Sequence, residues 1–286
     1  MEFGLRKNWR GDTALRASFN ALVREVFGFD FENWHRNGFW TDSYIPYSFV
    51  RDGRIAANVS VNVMNMSLDG EALNLFQLGT VLSAPEFRGR GLIRKLMEAI
   101  FRDAGEGAEF YLFANESVLN FYPKFGFEKW KQYQYTAPIS NRSRHTAQAV
   151  PMETAEDWSF FRNIRKRYRS QSRLVMDNDG LLMFYLSQSL RKNVWYVNDA
   201  DAYTVAEIEN GRLVVHDVFA RNEFTWPAFF QAFGPDVREA VFTFPPRRPE
   251  GLRKEERTNG DSLFIKGDGL RRRMDALTVF PELSHA

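Results

Sequence analysis

Arg88, Gly89, Arg90 and Gly91 stand between an apolar run, residues 75–83, and an amphipathic stretch that starts at Leu92. A glycine-rich turn that opens a helix leaves backbone N–H groups without intrahelical partners, and these groups with the helix dipole attract an anion. Gly89 and Gly91 carry no Cβ to hold an oxygen-bearing ligand away, and the two arginines add fixed positive charge. This set of residues suits a phosphate or a pyrophosphate.

The elements that must position this turn are readable on both sides. Residues 75–83 read as a strand that Pro85 closes. Leu92, Ile93, Leu96, Met97, Ile100 and Phe101 recur on one helical face, with Arg94, Lys95, Glu98 and Arg102 on the other. Gly105 and Gly107 end the helix, and residues 109–114 read as a second, buried strand. The string Gly-x-x-x-x-Gly-Lys-Ser/Thr of a nucleotide P-loop is missing. A dinucleotide fingerprint needs a third glycine where Arg94 stands.

Arg88, Gly89, Arg90, Gly91, Leu92 and Ile93 resemble motif A of the GNAT N-acetyltransferase superfamily, Arg/Gln-x-x-Gly-x-Gly/Ala, with Ile93 in place of the final small residue. A second block, Asn115 through Phe121, Tyr122 and on to Gly126 and Phe127, resembles motif B of the same superfamily. The resemblance covers residues 1–137. It implies a mixed α+β (α/β) fold: a central mixed, mainly antiparallel sheet flanked by helices. It also implies acetyl transfer from acetyl-CoA to a primary amine, on a small molecule or a peptide, by direct attack.

On that reading the amides of Arg88, Gly89, Arg90, Gly91, Leu92 and Ile93 hold the pyrophosphate. Val81, Leu82 and Ser83 pair through their backbone with the pantetheine arm. Tyr122 stands where the family often places a tyrosine near the sulfur; the other reading is a core aromatic beside Phe121, Phe125 and Phe127. Asn115 either bonds the cofactor or caps the turn that follows. The base stays open among Glu32, His35, Asp42, Glu71 and the carboxylate of the terminal Ala286, which some two-lobed members use. Phe280 and Leu283 could anchor such a tail.

Phe29, Phe31, Trp34, Phe39, Trp40, Tyr44 and Tyr47 make an aromatic segment interleaved with Asp30, Glu32 and Asp42. In the family this segment often lines the acceptor site, and aromatic faces with carboxylates suit a cationic amine. The alternative is ordinary core packing.

A chain of 286 residues with 44% hydrophobic residues can build one large core or two medium ones. We expect a GNAT domain over 1–137, a polar linker over 138–150, and a smaller α+β lobe over 151–286 that is a degenerate GNAT-like repeat. In that second half, strands at 202–209 and 212–219 flank Asn210-Gly211, a hairpin signal, and a short helix and a strand follow. No cradle follows there, since Ala220-Arg221-Asn222-Glu223 replaces it. His216 and Asp217 are neighbours on a strand, point to opposite faces, and so make no dyad.

The chain has no cysteine, which excludes disulfides, a thiolate nucleophile and Cys-ligated zinc, and no metal-ligand cluster is visible. A formal net charge of +2 gives no reason to expect nucleic acid, and the basic clusters at 162–169 and 271–273 read as solvated helix faces. No apolar run reaches membrane-span length and the N-terminus lacks a signal-peptide core, so no membrane partner and a cytoplasmic location are expected. An oligomer is compatible with the sequence but not inferable from it. Two other readings are an acyl-CoA-binding regulator without turnover and an aminoacyl-tRNA-dependent transferase. The intact cradle and the balanced charge argue against the second.

Overall fold

The computed structural model describes residues 2–139, 146–274 and 279–285. Strand β1 (Gly4–Lys7) leads to helix α1 (Thr13–Phe27), a short α2 (Glu32–Arg36), and strands β2 (Tyr44–Arg51), β3 (Arg54–Leu68) and β4 (Glu71–Ser83). Helix α3 (Leu92–Ala104), β5 (Phe110–Ala114), β6 (Glu128–Trp130) and β7 (Tyr133–Pro138) follow. The rest is β8 (Gln148–Ala149), α4 (Ala155–Arg167), β9 (Arg169–Ser170), β10 (Leu174–Met176), α5 (Asp179–Leu186) and β11 (Val194–Val197). Then come β12 (Ala202–Glu209), β13 (Arg212–Ala220), α6 (Trp226–Phe230), β14 (Glu239–Phe242), β15 (Arg253–Glu256), β16 (Ser262–Lys266) and α7 (Asp268–Met274).

Local chemistry sets the ends of these elements. The Asp12 carboxylate accepts the Leu15 N–H at 3.0 Å and caps α1, and Gly28, at φ 81°, ends it in the left-handed conformation. Thr154 and Asp157 form a capping box at the start of α4.

Two 8-stranded mixed sheets result. The first runs β1-β2-β3-β4-β5-β16-β6, with β10 on β3; the second runs β15-β7-β14-β13-β12-β11-β8, with β9 on β13. The chain is thus mixed α+β, as the sequence implies. Both sheets contain the same unit: an antiparallel hairpin, a helix, and a strand returning parallel to the second hairpin strand. It is β3–β4, α3, β5 in the first sheet and β12–β13, α6, β14 in the second.

The two halves exchange strands. β16 and β10 belong to the first sheet, and β7 to the second. β16 pairs with β5 on one side and β6 on the other, so a segment more than 130 residues downstream of the GNAT-like motifs completes their sheet. One face of that sheet packs on α3 through Val59, Val61 and Leu112. The other face packs on α1 through Met64, Leu75 and Tyr111, in a core that continues into the second lobe through Phe161, Leu181 and Leu186.

Candidate acyl-donor and acceptor site

The site begins where two parallel strands part. β4 and β5 are in register only at Phe76–Phe110, Gln77–Tyr111 and Leu78–Leu112. Beyond Leu78 the strands diverge and leave a cleft of about 560 Å³. A β-bulge causes this. Between Asn58 and Ser60 of β3 one residue, Val59, faces two of β4, Thr80 and Val81.

Thr80 takes φ 47°, an unusual value for a β-branched residue. Its surroundings hold it there. Asn58 Nδ2 donates to Thr80 O at 2.9 Å, the Thr80 and Tyr44 hydroxyls bond at 2.9 Å, and Ser48 and Trp9 extend the buried chain behind Asn58. Before the bulge the Phe76 N–H points toward β5 and bonds Glu109 O at 2.9 Å. After it the Ala84 N–H points toward β3 and bonds Ala56 O at 2.9 Å. The extra residue therefore turns the polar edges of Val81 and Ser83 toward the cleft, while Leu82 stays in register with Asn58.

The cradle closes one end of this cleft. Gly89 (φ 74°) and Gly91 (φ 71°) are both left-handed, and a Cβ on either would project into open space. Gly91 caps α3 without any side-chain acceptor, so the first amides of the helix are free for an anion. Ile93 is half-buried and its side chain packs with the α3 core, which leaves the turn open. Arg88 and Arg90 are exposed; Arg88 Nε reaches Ser83 O at 3.4 Å and Arg90 stacks on Phe87 at 5.6 Å. Val81, Leu82, Ser83, Arg88, Gly89, Arg90, Gly91, Leu92, Ile93, Asn115 and Tyr122 all line the one cleft. Asn115 also closes a turn, accepting from Ser117 N at 3.1 Å.

Tyr122 is buried against Phe121, Phe127 and Phe264, yet it borders the cleft, and its hydroxyl has no hydrogen-bond partner among the described residues. Burial, with a smaller push from Asp261, raises the phenol to about 12.

The proposed bases are elsewhere. Asp42 is paired with Arg10 at 3.0 Å, and Glu32 with Arg36 at 3.3 Å and Arg16 at 3.7 Å. His35 packs edge-on to Trp40, and Glu71 is exposed at the far end of β4. None of the four borders the cleft. Ala286 lies outside the described residues.

Two titratable residues that motif reading passes over are in the cleft wall instead: Asp261, just before β16, and His285. His285 Nε2 stands 3.7 Å from Asp261 Oδ2, and its ring lies 4.3 Å from that of Phe113. Burial holds its pKa below the ordinary imidazole value, outweighing the upward pull of Asp261 and Glu282. The tail that carries it is anchored as expected at Phe280 and Leu283, both buried. Tyr111 donates to Ser284 O at 2.9 Å and Tyr185 donates to His285 O.

A second cavity of about 340 Å³ adjoins the cleft and shares Phe27, Thr80, Asp261 and His285 with it. The aromatic segment forms one wall of this cavity and α5 the other, joined by Trp34 Nε1 donating to Gly180 O at 2.7 Å. Phe29, Phe31, Trp34 and Tyr44 border it; Phe39, Trp40 and Tyr47 pack elsewhere.

Residues 14–130 match the family model of the acetyltransferase (GNAT) domain. The matched segment, similar to that acetyltransferase domain, carries both the glycine turn and Tyr122. Several solved structures share the fold over both lobes. A probable N-acyltransferase from Enterococcus faecalis is 15% identical, with 96% of this chain and 74% of that one covered at a TM-score of 0.61. Eis1 from Mycobacterium abscessus is 13% identical, with 96% and 76% covered at 0.58. A GCN5-related N-acetyltransferase from Kribbella flavida is 17% identical, with 92% and 72% covered at 0.56. No curated protein sequence matches the chain significantly. No helix among the described residues is long and apolar enough to cross a membrane, and no group of three or more His, Cys, Asp or Glu among them could hold a metal.

Proposed function

We propose that this protein moves an acetyl group from acetyl-CoA to a primary amine by direct attack. The observation that carries this is the parting of β4 and β5 beyond Leu78, with the glycine cradle at its mouth. The cleft-facing edges of Val81 and Ser83 suit the amides of a pantetheine arm as an added strand would. The turn at Gly89 and Gly91 suits a pyrophosphate.

The amine enters from the aromatic side, past Asp261. There it gives a proton to His285, which is neutral near pH 7 because its pKa is lowered. The neutral nitrogen then bonds the acetyl carbon as the carbon–sulfur bond breaks, and its second proton passes to the departing sulfur, so that an amide and a free thiol leave. The sulfur departs toward Tyr122, whose phenol at about 12 stays protonated and donates to it. Full transfer to a thiolate in water, with a thiol pKa of about 8.5, would be uphill by about 5 kcal/mol. The same apolar surroundings raise the leaving thiol, which narrows that gap.

Acetyl transfer to a panel of primary amines, followed by free thiol release, tests the reading. Turnover with any of them supports it. Tight acetyl-CoA binding with no turnover on any amine would leave the acyl-CoA-binding regulator.

A further inference from the structure

The second cavity has a composition that discriminates among amines. Phe27, Phe29, Phe31, Trp34, Leu181 and Phe184 provide the apolar part of its wall. Phe184 is the hub, with ring centroids at 5.7 Å from Phe29, 5.3 Å from Phe31 and 5.8 Å from Trp34. Interlocked rings of this kind make a preformed slot with flat apolar sides. Polar groups at its edge are already engaged: the Tyr44 hydroxyl bonds Thr80, and the Tyr185 hydroxyl donates to the His285 carbonyl. Among the described residues one carboxylate, Asp261, borders the cavity, and it stands where the cavity opens into the acyl-donor cleft.

Resting on the acetyl-transfer reading above, we propose that this cavity holds the body of the acceptor, and that the acceptor is a small monoamine on an apolar, ring-bearing skeleton. Its ammonium stands at Asp261, beside the cleft, and its ring lies between α2 and α5. A volume of about 340 Å³ is at the small end of ligand pockets and too small for a folded peptide segment. A second ammonium, as in a polyamine or an aminosugar, would lie against Phe31 and Phe184, where no carboxylate of the described residues meets it. An unpaired buried charge is strongly unfavourable. Asp261, the one acidic side chain of the described lining, therefore selects for a single positive charge, and the aromatic walls select for a flat apolar body.

The test is calorimetric titration of the full chain with tryptamine, 2-phenylethylamine, 2-phenylethanol and spermidine, each with and without acetyl-CoA. The two arylalkylamines are expected to bind at least tenfold tighter than spermidine and than the neutral alcohol. Leu181→Trp, which fills the cavity, should weaken tryptamine at least tenfold while leaving acetyl-CoA affinity unchanged, since Leu181 does not border the cleft. Asp261→Asn, at a partly exposed position, should weaken the arylalkylamines about tenfold and leave 2-phenylethanol unaffected. Spermidine binding as tightly as tryptamine, or tryptamine binding untouched by either variant, would overturn the proposal. Arylalkylamine binding without any acetyl-CoA binding would uphold the cavity and sink the acetyl-transfer reading; the reverse pattern would do the opposite.

Discussion

Replacing Tyr122 with Phe separates catalysis from packing with unusual clarity, because its hydroxyl has no partner among the described residues. The ring contacts with Phe121, Phe127 and Phe264 survive the change. Loss of a structural hydrogen bond is not expected, so stability should move by no more than about 1 kcal/mol, or about 3 °C in Tm. Catalysis should suffer much more. A hydrogen bond to a developing anion is worth about 1.5–3 kcal/mol, which is about 10- to 150-fold in kcat. The assay is thiol release under saturating acetyl-CoA and amine, with calorimetry for acetyl-CoA affinity and a thermal melt on the same preparation. The expected pattern is a fall in kcat with affinity and Tm unchanged. A kcat within twofold of the parent would refute the role of the phenol. A Tm loss above about 5 °C would show that the hydroxyl was holding structure.

Gly91→Glu places a side chain and a negative charge in the space the cradle leaves open, at φ 71°. The left-handed backbone alone costs about 1–2 kcal/mol for a residue with a Cβ, and acetyl-CoA affinity should fall more than tenfold by calorimetry. His285 is the proton acceptor in this account, and its pKa lies below 6.5. Its neutral form is lost as pH falls through that lowered pKa, so kcat should drop on the acid side of pH 6.5 and show no loss from Tyr122 up to about pH 10; an alkaline limb near 8 would contradict this. In the second lobe, burial pushes the Asp217 carboxyl up from 3.8 to about 6. A raised carboxyl favours the folded state below the unfolded value of 3.8, and that advantage is lost as pH rises through 6. Asp217→Asn should therefore stabilise the protein at pH 8, by at most about 3 kcal/mol, and not at pH 4, as thermal melts at the two pH values would show.

Much of the cradle was readable because it is local chemistry. Glycines at 89 and 91 after an apolar strand specify a turn and an anion site within a few residues, and the structure brings the residues of both motifs to one cleft. The hairpin at Asn210-Gly211 is similarly local, with β12 and β13 ending within a residue of the expected bounds. Asp261 and His285 were not readable as partners. They meet only because β16 inserts between β5 and β6 and the tail is tied down by Tyr111 and Tyr185. Pairing across more than 100 residues leaves no periodicity in either strand. The bulge at Thr80 was equally hidden, since neither Thr nor its neighbours announce a positive φ, and the polar chain of Asn58, Ser48 and Trp9 that holds it comes from β3, β2 and the turn before α1. The aromatic segment was legible as a segment, but which rings face the cavity and which pack depends on α5.

The central claim is that the parted strands and the glycine turn hold an acyl-CoA. Calorimetric titration of the full chain with acetyl-CoA, beside desulfo-CoA and free adenosine diphosphate, tests it most directly. The account predicts one site of micromolar affinity that both pantetheine-bearing ligands fill and the bare nucleotide fills at least tenfold more weakly. Absence of heat with acetyl-CoA, or equal affinity for the nucleotide alone, would contradict it.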